Sequence, residues 1–584
     1  MQGSLVETEV FLAVDVGSVF TRAFLLDGVE GQYRLIAMGQ APTTAGVPAR
    51  DALLGVEQAV LDLQNLSGIR LVDEEDGLIV PTSLAGEGVD TVIGTMSCGR
   101  PLRVVLMGVL PELSVASARR IVAGSYVHVV ETFTATDAAT PDEQIRRLVE
   151  AYPDIVILTG GTDEGAHQAV LSHVDLLLWA VRLWSLAQRP WILYAGNQAL
   201  AEEVQNRLSA HYEVRLAPNV RPSITQENLT PAREAFLDIF RQLWAARIPG
   251  LDDLHMLTRG RFTLSAYGFA RLARYMQRLY APHGTMLAVD LGAAYTSAVW
   301  GPLDTSRHET WPWGLGQGLA SWKASSDFLD LVRAWAPTDK IGTHGASVPD
   351  FVYWKRWYPH ALPLDESSVE LEETLARVVL QKVRGRTLDS EGKVDFIFAA
   401  GGVLSAAPSP QRSLLTLLDG LQPVGLTSVV VDYAQMAGVL GVLAEVNEYV
   451  VVQVVGSAAF TPLATVLSPR WREPLPEGQP IAEGTLVYSN GQEEPFVLNA
   501  GTIQRLPLAL GRRAELRVQP RHHGVDLGAG WGEPLRQDII GSLLGLVIDA
   551  RGRPWTPPDL PRQRAEQRRQ ALEDLRILHS EKRA

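Results

Sequence analysis

The sequence predicts an α/β protein of two lobes, with a Rossmann-like α/β unit inserted into the first. A small all-β domain and a C-terminal helix are expected to follow the second lobe. Three observations carry this expectation. An apolar strand that ends in Asp, a Gly-containing turn and a second strand occurs twice, with Asp15 and Asp290 standing 275 positions apart. Between the copies, residues 112–222 alternate strand-like and helix-like segments, the pattern of a parallel sheet with crossover helices. From about residue 450 the patterning changes to period two, with turns at Asn490-Gly491, Ala500-Gly501 and Ala529-Gly530.

Along the chain, residues 1–111 with 223–283 read as lobe I. Residues 9–110 are mainly strands with one helix over 51–63, and 223–283 read as wholly helical, with Pro231 at a first turn. Residues 112–222 form the inserted unit. Its loops Gly160-Gly161-Thr162-Asp163 and Ala195-Gly196-Asn197 leave the carboxyl ends of strands, where open α/β sheets bind ligands; tight turns that need Gly explain them equally well. Residues 284–449 read as lobe II. Within it, 324–390 are helical, including the aromatic run Tyr353-Trp-Lys-Arg-Trp-Tyr358, expected to pack in a core or interface. Gly314-Leu-Gly316-Gln-Gly318 is a glycine-rich turn that could line phosphates, and 433–446 a small-residue helix suited to close packing. Residues 450–550 are expected to be a separable β-barrel or sandwich for partner binding. Residues 551–584 read as a Pro-rich linker and a helical tail with Leu572, Leu575, Ile577 and Leu578, fraying when alone.

Composition removes several classes. The chain has 584 residues and a formal charge of −14, which excludes a global nucleic-acid surface. Its apolar runs fall short of the ~20 residues that span a bilayer, and no secretory signal precedes the first strand, so the cytoplasm is the expected location. The single cysteine, Cys98, allows no internal disulfide and reads as a buried small side chain.

The repeated hairpin carries the chemistry. The first copy reads Phe11-Leu-Ala-Val-Asp15-Val-Gly17-Ser18-Val-Phe-Thr21-Arg22, the second Leu287-Ala-Val-Asp290-Leu-Gly292-Ala-Ala-Tyr-Thr296-Ser297. Glycine lets backbone N–H groups of a turn point inward as an anion nest, and a strand-end carboxylate holds Mg²⁺ through its waters. Two such hairpins facing each other would grip a triphosphate. A third element, Val394-Asp-Phe-Ile-Phe-Ala-Ala400-Gly401-Gly402, is a buried strand that breaks at a double Gly before a helix.

This order of two phosphate hairpins and strand–Gly–Gly–helix resembles the actin-like ATPase superfamily of sugar kinases, heat-shock chaperones and bacterial actins, over about the first 450 residues. Further runs are similar to the glutamate mutase accessory proteins called MutL or GlmL. They are Ala41-Pro-Thr-Thr44, the segment from Leu102, the segment from Pro153, Tyr194-Ala-Gly-Asn197, and Asn219-Val-Arg-Pro with Pro231-Ala-Arg-Glu234. The resemblance implies ATP and Mg²⁺ as cofactors, with Asp15 and Asp290 organising the metal as the catalytic pair. Gly17, Ser18, Thr21, Arg22, Gly292 and Thr296 would serve the phosphates, and Gly401 and Gly402 would admit the adenosine. Two departures matter. Arg22 stands where the superfamily often has Lys, and Ala293 and Ser297 replace a Gly and an Asp of the second hairpin. They predict slow hydrolysis or binding without turnover.

The functional expectation is an ATPase that acts on a protein partner as chaperone or reactivating factor, with a cobalamin-dependent mutase as the client the resemblance implies. The alternative is a structural or filament-forming scaffold that self-assembles. A small-molecule kinase is disfavoured because no acceptor-activating Asp is evident.

Overall fold

The computed structural model describes residues 9–46, 48–73, 75, 77–322, 326–336, 348–457, 460 and 462–576. It is a mixed α/β protein whose two principal sheets repeat one topology. The first sheet runs, from edge to edge, Gln32–Pro42, Phe20–Val29, Phe11–Val16, Thr91–Met96 and Phe262–Leu264. The second begins Arg307–Trp311, Thr296–Pro302, Thr285–Leu291, Phe396–Ala400 and Gly425–Val431. In each sheet the first three strands pair antiparallel and the next two add in parallel. Phe11, Leu12, Ala13 and Val14 are all fully buried, as are Leu287, Ala288 and Val289, because these central strands are covered on both faces.

Two helices fill the space between the sheets. Ser265–Tyr280 follows the last strand of the first lobe, and Ala437–Val446 follows its counterpart in the second. They cross with backbone against backbone: a Cβ on Gly268 would lie 2.0 Å from the Gly438 carbonyl oxygen, and one on Gly441 would lie 1.8 Å from that of Gly268. Phe269 stacks on Phe398 at 5.6 Å, so this crossing and both sheets share one apolar core.

The inserted unit is a five-stranded parallel sheet in the order Val214–Leu216, Trp191–Tyr194, Ile155–Leu158, Leu102–Gly108 and Val127–Thr134. Its first strand, Leu102–Gly108, lies inside the segment that sequence patterning assigned to lobe I, so the insertion begins earlier than residue 112. The segment 223–283 is not wholly helical either. Phe262–Leu264 is a strand that pairs with Thr91–Met96 and closes the first lobe's sheet.

The largest correction concerns residues 450–550. The chain is still helical through Glu448–Val455, capped by the Asn447 side chain accepting from the Val450 N–H. The first strand beyond it, Pro462–Ser468, then pairs with Gly425–Val431, followed in the sheet by Leu546–Ala550 and Thr502–Leu506. The second lobe's sheet therefore has eight strands, three of them from the region read as a separable domain. A four-stranded antiparallel sheet, in the order Glu493–Asn499, Pro480–Tyr488, Arg513–Pro520 and Leu535–Ile540, packs beside this extension. Period-two patterning announced strands without revealing which sheet they join.

The tail is docked. Pro561–Asp574 is a helix whose Ala571, with Leu575 just beyond, is buried in the second lobe's core. Arg564 donates to the carbonyls of Ala336 and Arg333, and Arg568 pairs with Glu373. Ile577 and Leu578 lie outside the described residues. Among the described residues, no helix is long and apolar enough to cross a membrane.

Candidate nucleotide site

The two hairpins face each other across a cleft of about 370 Å³ between the lobes. Their turns are built alike. The Gly17 N–H donates to the Phe20 carbonyl at 3.0 Å, and the Gly292 N–H to the Tyr295 carbonyl at 2.9 Å. Any Cβ at Gly17 would stand 2.7 Å from that carbonyl oxygen, and one at Gly292 2.9 Å from its own, so side chains are excluded at both corners.

Neighbouring elements fix the first turn. Thr43 Oγ1 donates to the Gly17 carbonyl at 2.8 Å, and the Thr44 hydroxyl donates to the Asp51 carbonyl at 2.5 Å. These contacts give the Ala41-Pro-Thr-Thr44 run a physical role: it holds the hairpin against the helix that starts at Ala52. Asp15 Oδ1 accepts from Thr95 Oγ1 and Ser265 Oγ, both at 2.7 Å. Its rotamer is thus set by the adjacent strand and by the first residue of the central helix.

Asp15 lies directly across the hairpin from Arg22, and Asp290 directly across from Ser297. A third carboxylate, Asp432, joins them from the end of the strand Gly425–Val431. Its Oδ2 accepts from the Ala437 N–H at 2.8 Å, while Oδ1, fully buried, has no hydrogen-bond partner among the described residues. The electrostatics are those of crowded acids around one cation. Burial, with Asp15 and Asp432 nearby, pushes Asp290 up to about 7, against the pull of Arg22. Burial also pushes Asp432 up to about 6, opposed by the backbone N–H groups of Ala437, Met436 and Gln435 and by Arg22. Burial lowers the Arg22 guanidinium despite the three carboxylates it faces. Its Nε donates to Gln40 Oε1 at 3.1 Å, and Gln40 also lines the cleft.

At the other end, Gly401 (φ +111°) turns the chain out of Phe396–Ala400. A Cβ there would lie 2.3 Å from the Leu291 carbonyl oxygen. Gly402 is open: nothing stands nearer to its missing Cβ than Gln435 Oε1 at 4.0 Å. Lys355 and Glu372 form a buried ion pair on the cleft wall, and Lys355 Nζ also donates to the Ala361 carbonyl at 2.9 Å. The helix that carries Glu372 packs against the turn of helix Gly402–Ser405.

Of the residues singled out from sequence, Asp15, Gly17, Ser18, Arg22, Asp290, Gly292, Gly401 and Gly402 line this cleft. Thr21 and Thr296 do not. Both are fully buried on the far side of their hairpins, Thr21 against Thr43 Oγ1 at 3.2 Å and Thr296 donating to the Trp313 carbonyl at 3.0 Å. Strand alternation explains this: a residue one position from a cleft-facing neighbour points to the opposite face. The Ser18 hydroxyl donates to the Ser97 carbonyl at 3.0 Å.

The glycine-rich turn 314–318 is not an anion cradle. Its Gly316 and Gly318 N–H groups donate to the Ala293 carbonyl at 2.8 and 3.0 Å, and the Leu315 N–H to that of Gly292 at 3.0 Å. It clasps the second hairpin from outside. Gln317 then reaches across, its Nε2 donating to the Ser18 carbonyl at 3.1 Å. The aromatic run 353–358 is largely exposed, with Tyr353 at 58% and Trp357 at 61%, so of the core or interface expected the core is not what it forms. In the inserted unit, Asn197 donates to the Gly165 carbonyl, and Asn219 to Gly161 and Asp163, so these loops bind one another. Cys98 is buried, which raises its thiol to about 12 and makes it inert.

Sequence reading missed Asp432, Lys355 and Glu372. The repeat held the signal for Asp432: Ser265 follows Phe262–Leu264 as Asp432 follows Gly425–Val431, at matching places in the two sheets.

A cleft lined by two glycine turns and three strand-end carboxylates lies between the two repeated lobes of a mixed α/β protein. A family model described as MutL protein matches residues 11–308, about half of the chain, and the chain belongs to that family. A relative, Protein MutL of Clostridium tetanomorphum, is 23% identical over 295 residues, which cover 49% of this chain and 57% of that protein. The chain thus spans less than two thirds of the length of this relative. Among solved structures, nucleotide-free acetone carboxylase is similar at 12% identity, covering 85% of this chain and 81% of that one with a TM-score of 0.33. The activator of 2-hydroxyisocaproyl-CoA dehydratase from Clostridium difficile with bound ADPNP is 9% identical, covering 74% and 92% with a TM-score of 0.26. A glycerol dehydratase reactivase is 11% identical, covering 75% and 100% with a TM-score of 0.29. These likenesses are distant, and no function follows from them.

Proposed function

We propose that this chain is an actin-like nucleotide-binding protein, a slow ATPase that acts on a partner protein as a chaperone or reactivating factor. The observation that carries the reading is the convergence of Asp15, Asp290 and Asp432 on Arg22 between two glycine turns. The donor set fits Mg²⁺. Three carboxylates share one guanidinium, Asp290 is pushed towards neutrality by burial and by its neighbours, and Asp432 Oδ1 is a buried acceptor without a hydrogen-bond partner among the described residues. Asp15, Asp290 and Asp432 would hold the ion, which supplies charge neutralisation for a polyphosphate. Arg22 would face the phosphates and the turn N–H groups would orient them. Gly402, with its open side, would lie under the nucleoside beside Lys355 and Glu372. A cobalamin-dependent mutase as client is in keeping with MutL membership.

Calorimetry with Mg²⁺-ATP tests the site. Binding is expected, weakened about 10–100-fold in Asp15→Ala, the usual cost of disturbing a metal's carboxylate environment. No heat at millimolar nucleotide would leave a scaffold as the better account, and negative-stain microscopy would then look for filaments.

Turnover without a partner is expected to be slow, well below the ~10 s⁻¹ typical of enzymes. The Ser297 hydroxyl is paired with Thr310 Oγ1 at 3.0 Å, and the Ala293 carbonyl is held by two loop N–H groups, so neither reaches for a nucleophilic water. Phosphate release measured with and without a candidate client checks this; fast basal release would contradict it.

A further inference from the structure

A second cleft, of about 300 Å³, opens between the C-terminal helix and the second lobe and shares no lining residue with the first. One wall is aromatic. The Trp335 and Trp555 rings lie 5.6 Å apart, and Arg551 Cζ sits 4.3 Å over the Trp555 ring. The floor is cationic. Arg377, 2% exposed, donates from Nε to Asp419 Oδ2 at 2.9 Å, and Arg551 Nη1 meets Asp419 Oδ1 at 2.9 Å. Arg551 and Arg553 both pair with Asp549, while Arg377, Arg412 and Arg568 all turn to Glu373. Five guanidinium groups therefore share three buried carboxylates, Glu373, Asp419 and Asp549, and Arg412 also pairs with the exposed Glu366. Glu370 acts on Arg377 and Arg568 from nearby, and Glu477 and Asp574 stand on the exposed rim.

Arg377 Nη2 is buried and makes no hydrogen bond among the described residues; its carboxylate neighbour Glu373 Oε2 lies 3.5 Å away. A buried guanidinium with an unmet donor is costly unless something answers it. Burial lowers Arg568 to about 10, against the pull of Glu370.

We infer that this cavity binds a small organic anion with a flat apolar body and one terminal oxyanion, carboxylate or phosphate. The tryptophans take the body, and Arg377, Arg551 and Arg568 take the oxyanion, planar forks that suit either group. Its volume stands at the low end of the ~300–1,000 Å³ of small-molecule sites. Because the C-terminal helix forms one side, the ligand also ties that helix to the lobe.

Calorimetry on the full chain with phenyl phosphate, benzoate and inorganic phosphate tests this. One aromatic probe is expected to saturate a single site with Kd below ~1 mM, more tightly than inorganic phosphate and unaffected by saturating Mg²⁺-ATP. Which of the two aromatic probes binds better distinguishes a phosphate from a carboxylate ligand. Arg377→Gln is expected to weaken binding at least about tenfold, the worth of a charged hydrogen bond. Gln567→Trp fills the cavity while leaving every arginine in place, so it reports the same loss if Arg377→Gln fails to fold. Absence of saturable binding by any probe at ~10 mM, binding that persists in Gln567→Trp, or displacement by ATP would each overturn the assignment.

Discussion

A chain ending at Ser457 is expected to come out of solution as aggregate, with no cooperative unfolding transition and no nucleotide binding. Removing residues 458–584 takes three strands from the eight-stranded sheet and leaves Gly425–Val431 as a bare edge. It also removes Leu463, Val466, Ile503, Leu544, Val547 and Leu575 from the second lobe's core. At ~1.5–3 kcal/mol for each buried aliphatic side chain, that loss reaches ~9–18 kcal/mol. A whole domain is stable by only ~5–15 kcal/mol. Asp432 hangs from the end of the exposed strand, so the cleft would go with the lobe. Circular dichroism, a urea titration and calorimetry with Mg²⁺-ATP check the outcome. A soluble, folded truncation that still binds nucleotide would restore the separable-module reading.

The second large effect is expected at the helix crossing, and it discriminates between glycines three positions apart. Gly441→Ala places a Cβ 1.8 Å from the Gly268 carbonyl oxygen, and Gly268→Ala places one 2.0 Å from that of Gly438. Both obstacles are backbone, which cannot swing aside as a side chain does. The helices must separate, at or above the ~3 kcal/mol upper end of ordinary overpacking. Gly438→Ala meets nothing nearer than the Ser265 carbonyl oxygen at 3.4 Å. It should be neutral or stabilising, since Ala is favoured over Gly in a helix by ~1 kcal/mol. Urea midpoints of the three variants check the order. Equal loss in all three would mean that the crossing is looser than described.

The hairpins were legible because chemistry and geometry coincide in a few adjacent residues. Asp15, Gly17, Asp290 and Gly292 are local, and their turns need glycine wherever the rest of the chain goes. Asp432 was not legible in that way. Its function depends on a strand order that brings Gly425–Val431 beside Phe396–Ala400, a fact of pairing that no short motif records. The inward reading of Thr21 and Thr296 failed over one position of strand alternation. The β-rich region was read correctly as strands and wrongly as a domain, because alternation reports a half-buried strand but not its neighbours. The docked tail shows the same limit. Helix Pro561–Asp574 is too polar to predict burial from its own sequence, and it is held by arginines whose partners lie elsewhere in the chain.

Gln317 has a consequence for how firmly the two turns are held together. Its side-chain N–H donates to the Ser18 carbonyl, a hydrogen bond that ties the two turns directly, and Gln317 itself is exposed. A neutral hydrogen bond of this kind is worth ~1 kcal/mol net. Taken alone, it biases the turns towards contact by only about five to one. A ligand that touches both sides therefore need supply little more than this bond does to hold the turns together.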